Sequence, residues 1–369
     1  MAFIPKHRVT NITFYLYSYG FNMNQNLHFY IFVFLFSFFC INCEKEKCLN
    51  CPEDLEPGRR DYIWTVDTLK ANPWDLFYLF SLWGSSPTDI WATGSGGASD
   101  VTLWHYDGVS WTRDLSCLSS NMMCIFGFAQ NDVWACDAPG RGVYHFNGTQ
   151  WSVAYTYEGA GLTRLGLDNI WGNSPDNIYA VGSIDSITGE GYKCVIMHYD
   201  GSTWKFVPIP DYKVGLNRIR RGIKESNKYY ISGTRFENTG NTAKAFELDG
   251  NSLKEIYSGK KGINVSEING RLYFTQAGGK QILTYTSSDF QVWKDFSSTD
   301  ITLGLLWGRN EMDIFTQAFK AGLYGVGHYN GTDWVLLYQM TEPISDLLLF
   351  EQDLFILYDN SVIVHGKLP

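Results

Sequence analysis

Five of the seven histidines, His105, His145, His198, His328 and His365, fall at one position of a recurring pattern, and Asp89, Asp132, Asp313 and Asp353 fall at another. Imidazoles and carboxylates in such sets could hold a metal or exchange protons in acid–base catalysis. Their spacing argues otherwise. Each histidine belongs to the third strand of its unit, about 9 to 10 Å outward from the first by the ladder spacing. Equivalent rings on different units therefore diverge, whereas a metal draws its ligands to about 2 Å. A structural role follows, with each imidazole bonded to a turn or backbone group of its own unit. Glu247 and Thr284 hold the same place in two weaker units, so polarity is what the position requires. The aspartates recur at a turn, where Asn177 also stands, and a turn carboxylate accepts bonds from the backbone amides that follow it. No metal and no cofactor is expected. No nucleophile–base pair, phosphate loop or H-E-x-x-H occurs.

The sharper signal is a break in the pattern. Asn217-Arg218-Ile219-Arg220-Arg221-Gly222 stands where other units have an apolar Leu-Trp-Gly or Ile-Trp-Gly, and departures from local consistency concentrate at functional or strained places. Arg218, Arg220 and Arg221 could form an anion or carboxylate site on a central channel. Alternatively they pair with Asp211, Glu225 or acids of a neighbouring unit and stabilise the fold. Trp83, Trp171 and Trp307 are packing residues by position, and could also line a carbohydrate-stacking surface. Long segments at 94–101, 183–193 and 233–244 share one face with Tyr155, Tyr157 and Glu158, and irregular loops on a rigid scaffold are where ligands bind.

The cysteines belong to a different argument. Residues 29–39, FYIFVFLFSFF, are apolar and uncharged, which is the length of a signal-peptide core and short of a membrane span. Cys40 and Cys43 follow at once, the shape of a lipoprotein signal, with a plainly secreted protein as the alternative. Met23 could be the start, although Lys6 and Arg8 supply the positive segment that precedes such a core. Residues 44–60 are polar and read as a tether. Cys48 and Cys51 form an isolated C-x-x-C, expected as a local disulfide because zinc would need about four ligands. Cys117 and Cys124 are expected to form a second bridge, and Cys136 and Cys194 to be buried thiols.

What must position all of these is a repeat. LWGSSPTDIWATG at 82–94 is echoed by IFGFAQNDVWACD at 125–137, IWGNSPDNIYAVG at 170–182 and LLWGRNEMDIFTQ at 305–317. LWHYDGVSW at 103–111 is echoed by VYHFNGTQW, IMHYDGSTW and VGHYNGTDW. An aromatic recurs at Trp91, Trp134, Tyr179, Tyr230, Tyr273, Phe315 and Phe355, a period of about 40 to 50 residues without helical periodicity, which is the size of a four-stranded propeller blade. Asp107-Gly108 and its four equivalents predict two-residue hairpin turns with positive φ at both central positions. The seventh unit lacks its outer strand, and residues 61–66, with Trp64, resemble an unpaired one. Pairing the two closes a ring and removes two exposed edges. The expected fold is therefore all-β: a seven-bladed propeller over 61–369, preceded by a targeting segment at 1–43 and a tether at 44–60.

The two repeat elements resemble those of a Trp-rich bacterial propeller family of exported lipoproteins, W-G-S-x-x-x-D-[IV]-[WY]-A-V-G followed by H-Y-[DN]-G-x-x-W. More distantly, Ser287-Ser288-Asp289 before Trp293 is similar to the Asp-box turn of sialidases. The first resemblance implies an extracytoplasmic, lipid-anchored, monomeric module that binds a protein or glycan at the cell surface. The second implies the alternative of a glycan-processing hydrolase, which would need clustered arginines beside a Tyr/Glu or carboxylate pair. The formal charge of −9 from 29 basic and 38 acidic residues argues against nucleic acid as a partner. Sixteen per cent aromatic residues exclude a disordered chain.

Overall fold

The computed structural model describes the chain from Gly58 to Pro369 apart from short segments at 71–76, 97–101, 117–118, 120, 141, 160–162, 187–191, 223–227, 238–239 and 359–360. The expected signal, lipidation sites Cys40 and Cys43, the Cys48–Cys51 bridge and most of the tether lie outside the described residues.

Seven antiparallel sheets of four strands each make up the described chain. Lettering the strands a to d outward from the axis, the inner strands are Phe77–Ser86, Met122–Ala129, Thr163–Ser174, Gly215–Arg221, Ile263–Ile268, Thr302–Asn310 and Ile344–Leu349 in blades 1 to 7. Blade 7 takes its outer strand from the N-terminal side of the chain. Ile63–Thr68 pairs antiparallel with Val362–Lys367, setting Trp64 opposite Gly366 and Val66 opposite Val364. The predicted closure is the observed one.

Inner and second strands are apolar on both faces because each face meets another blade. Ile90-Trp91-Ala92, Val133-Trp134-Ala135 and Leu354-Phe355-Ile356 are buried throughout. The core is accordingly divided. Among the described residues there is one apolar cluster for each of the seven seams, such as Leu79, Ile90 and Trp104 with Phe355 and Leu357 between blades 1 and 7. Glycine closes the seams where inner strands end. A Cβ on Gly127 would lie 2.8 Å from the Trp83 ring of the preceding blade, and one on Gly172 equally close to Phe128.

Two local expectations are corrected. The turns between strands c and d are four-residue loops in four blades. Strand c ends at Tyr106 and strand d begins at Trp111, and only the glycine has positive φ, +90° at Gly108. The Asp or Asn before it supplies the rest, since Asp107 Oδ1 accepts from the amides of Val109 and Ser110 at 2.9 and 2.8 Å. The side chain replaces a second left-handed residue. The second correction is the disulfide. Cys124 bonds Cys136, not Cys117, because the two face each other across strands a and b of blade 2 with Cα atoms 5.5 Å apart. Cys136 is therefore no free thiol, whereas Cys194 is free and buried as expected.

Candidate functional site

The recurring histidines and aspartates are partners of each other. His105 Nε2 lies 2.7 Å from Asp89 Oδ1, His145 2.8 Å from Asp132, His328 2.8 Å from Asp313 and His365 2.6 Å from Asp353. In blade 3 the acceptor is Asn177 Oδ1, 2.7 Å from His198. Each imidazole also stacks on the aromatic of strand b, with centroids 4.1 to 4.4 Å apart. The ring thus ties strand c to the a–b turn and presents Nε2–H to the acceptor. Blade 4 exchanges the charges: Glu247 replaces the histidine, Lys228 replaces the aspartate, and they meet at 2.7 Å. In blade 5, Arg271 at the aspartate place bonds Glu311 of the next blade. These are structural ties, as expected of the histidines. The aspartates serve imidazoles rather than the backbone amides expected for them, and among the described residues no metal-binding cluster forms.

The axis is different. In six blades the pairing of strand a with strand b skips a residue at the same level: Phe80, Met123, Asp168, Asn217 and Ser345 in blades 1, 2, 3, 4 and 7, and a two-residue slip at Gly304-Leu305 in blade 6. A bulge re-aims the unpaired residue. All five single-residue bulges line one cavity of about 230 Å³ on the axis, together with Arg218, Arg220, Asn169, Asp346, Trp83 and Trp307. Asp168 and Asn217 also line a wider cavity of about 540 Å³ bounded by Pro139, Arg164, Ser183, Asp185 and Phe236. Strand b of blade 3 ends and strand a of blade 4 begins at that cavity, so it is the mouth on the face of the long loops.

The polar groups in the inner cavity are unevenly matched. Asp346 accepts from the Leu82 amide at 2.9 Å, the Leu347 amide at 2.9 Å and the Ser81 hydroxyl at 3.2 Å. Asn169 Oδ1 accepts from the Ile219 amide at 3.1 Å and from Arg220 Nη1 at 2.9 Å. Arg220 Nη1 donates also to the Ile219 carbonyl at 2.6 Å. Arg218 Nε is buried without a hydrogen-bond partner. Burial holds both guanidiniums below their ordinary value, and Arg218 lowers Arg220 further by repulsion while Asp346 opposes the shift in each. Burial alone pushes Asp168 up to about 6.

The other sequence candidates lie elsewhere. Arg221 sits over the Tyr229 ring at 5.5 Å, away from the axial cavity. Trp171 is 8% exposed in the seam between blades 3 and 4, and offers no stacking platform. Tyr157 packs edge-on against Phe206, and with exposed Glu158 it lines neither cavity. Asp211, considered as a partner of the arginines, pairs with Lys213 at 2.7 Å; Glu225 lies outside the described residues. Sequence reasoning missed Asp168, Asn169 and Asp346. Their signal was available, since each is a polar residue interrupting an inner strand at the level of Arg218.

No protein-family model and no curated protein matches the sequence. Solved structures do match, and they are propellers. A structure of YCF48 bound to D1 peptide has a TM-score of 0.57 at 15% identity, covering 85% of this chain and 100% of its own. YCF48 from Cyanidioschyzon merolae gives 0.54 at 14%, covering 82% and 98%. Catalytically inactive virginiamycin B lyase from Staphylococcus aureus with quinupristin gives 0.57 at 13%, covering 83% and 100%. The likeness is one of fold.

Proposed function

We propose that this chain is a non-enzymatic binding module of the cell envelope, exported, anchored through a lipid at Cys40 or Cys43, and engaging a polypeptide as a monomer through its loop-bearing face. The observation that carries the reading is the mouth cavity between blades 2, 3 and 4, which leads past Asp168 and Asn217 toward a second cavity on the axis. A preformed concave site at the end of a rigid scaffold is the usual form of a binding site. YCF48, of similar fold, is bound to a peptide.

A glycan is the second ligand class. Trp83 and Trp307 border the inner cavity in its favour, whereas burial of Trp171 counts against a broad aromatic platform. The hydrolase alternative needs a Tyr/Glu pair beside arginine in a substrate cleft. Tyr273 does donate to Glu311 at 2.8 Å, next to Arg271. However, Tyr273 is 1% exposed and the group joins blades 5 and 6 at the a–b turns, so it serves as a tie like those of the other blades.

Filling the mouth tests the reading. Crosslinking the full chain and a Ser183→Trp variant to envelope proteins should lose the captured polypeptide with the variant. Equal capture would place the partner elsewhere. Labelled fatty acid should be incorporated by the wild type and lost in one of Cys40→Ala or Cys43→Ala.

A further inference from the structure

Two arginines on the axis of the propeller need an explanation that packing does not supply. Arg218 and Arg220 are two residues apart on one strand and therefore share a face. Arg220 stands where Trp83, Trp171 and Trp307 stand in blades 1, 3 and 6. A tryptophan there would pack better and carry no desolvation cost. Among the described residues neither arginine reaches a carboxylate within ion-pair distance. Asp346 is the acid that acts on both, and its oxygens already take three donors from the polypeptide. Asp168 lines the same cavity but makes no ion pair with either guanidinium, and Glu267 acts on Arg220 only through space. Arg218 Nε, buried and unpartnered, is the donor left over.

We infer that the axial cavity is a carboxylate site, with Arg218 and Arg220 as its donors, and that the carboxylate is the free C-terminus of an extended peptide entering through the mouth. This rests on the polypeptide reading above and adds which part of the chain is recognised. The volume favours a chain end over a chain interior. About 230 Å³ holds roughly eight waters at about 30 Å³ each, enough for a carboxylate and one or two small residues. The lining agrees with this. Phe80, Met123, Trp83 and Trp307 belong to the lining, but the surface that the cavity exposes is mainly polar, which suits a charged group. A guanidinium presents its donors as a planar fork, the arrangement that fits a carboxylate.

The test uses the purified full chain and a small probe, N-acetyl-Gly-Gly, as the free acid and as the C-terminal amide, with saturation-transfer NMR and titration as readouts. The free acid should bind, and the amide should bind at least about tenfold more weakly. Arg218→Met should weaken the acid at least tenfold without lowering the thermal midpoint, because it replaces a side chain whose Nε is buried without a partner by an apolar chain. Arg220→Gln provides a second variant that can keep the Asn169 bond. Equal binding of acid and amide would overturn the assignment, as would undiminished binding in both variants. Glucuronic acid binding as tightly as the dipeptide would also overturn it, moving the ligand to acidic glycans. If the acid binds but no polypeptide is captured through the mouth, the site stands and the partner reading fails. If capture is lost on filling the mouth but acid and amide bind alike, the converse holds.

Discussion

At the scale of the residue, one arrangement serves two ends according to burial. The His–Asp tie is half-open in blade 1, where the side chains of His105 and Asp89 are 31% and 18% exposed, and closed in blade 6, where those of His328 and Asp313 are 0% and 7%. Breaking a buried hydrogen bond leaves an unsatisfied polar group, whereas a solvated partner finds water. His328→Ala should therefore cost about 1 to 3 kcal/mol and His105→Ala less than about 1 kcal/mol, measured by urea denaturation. Asp168 gives a second prediction at this scale. Its folded pKa, about 6, is raised above the ordinary 3.8, so the folded state binds the proton more tightly than the unfolded chain between those values. That contribution is fully favourable below about pH 4 and is lost as pH rises through 6. Asp168→Asn should raise stability at pH 7.5 by about 3 kcal/mol, the free energy of a two-unit shift, and by little near pH 4. A variant gaining nothing at pH 7.5 would mean that the carboxyl is paired. How far these residues were legible in the sequence follows from their spacing. The histidines and their Asp or Asn acceptors are 12 to 21 positions apart, and blades 4 and 5 lack both, so their partnership was there to read. Arg218, Asn169 and Asp346 come from three different blades, and only ring closure brings them together.

At the scale of the element, bulges determine what reaches the axis. Inner strands with a strict period of two would alternate between the two neighbouring seams; the extra residue at Phe80, Met123, Asp168, Asn217 and Ser345 turns a side chain inward instead. An apolar run in sequence does not disclose such a slip, which is why the repeat predicted the blades well and the contents of the channel poorly. The same limit produced the cysteine error. Proximity in sequence favoured Cys117 with Cys124, but register places Cys124 against Cys136. Peptide mapping of the unreduced chain should recover the Cys124–Cys136 linked pair. Closing a loop of this length contributes about 3 kcal/mol in the chain-entropy account, so reduction should lower the denaturation midpoint of the wild type but not that of a Cys124→Ala, Cys136→Ala variant.

At the scale of the molecule, the clasp joins more than two strands. Arg60, just before the strand Ile63–Thr68, donates to His328 Nδ1 at 3.1 Å and to Asp333 at 3.0 Å, both in blade 6. Arg309 of blade 6 reaches Tyr62 at 3.2 Å, Asp313 at 2.8 Å and the Phe350 carbonyl of blade 7. His328 is central, because Nε2–H donates to Asp313 while Nδ1 accepts from Arg60, an arrangement that requires a neutral ring. Burial holds its pKa below the usual 6.5, against the opposing pull of Asp313. The unfolded chain therefore takes up the proton first, and stability is lost as pH falls below about 6.5. Measured from pH 7.5 to 5, the denaturation midpoint of the wild type should fall relative to that of His328→Gln. Deleting residues 58–68 should leave the outer edge of blade 7 bare and drive aggregation at micromolar concentration, seen by light scattering. Unchanged light scattering after that deletion would mean the closure contributes little.

The clasp also sets an order of events in synthesis. Thr65 and His365 bond across 300 positions of the chain. At about 5 to 20 residues per second, the early strand leaves the ribosome some 15 to 60 s before its partner exists. For that interval the nascent polypeptide carries an unsatisfied ribbon at its front, exposed to any chaperone or neighbouring nascent chain. The circle is completed late, all or nothing, so a threadable, unclosed form persists through most of translation.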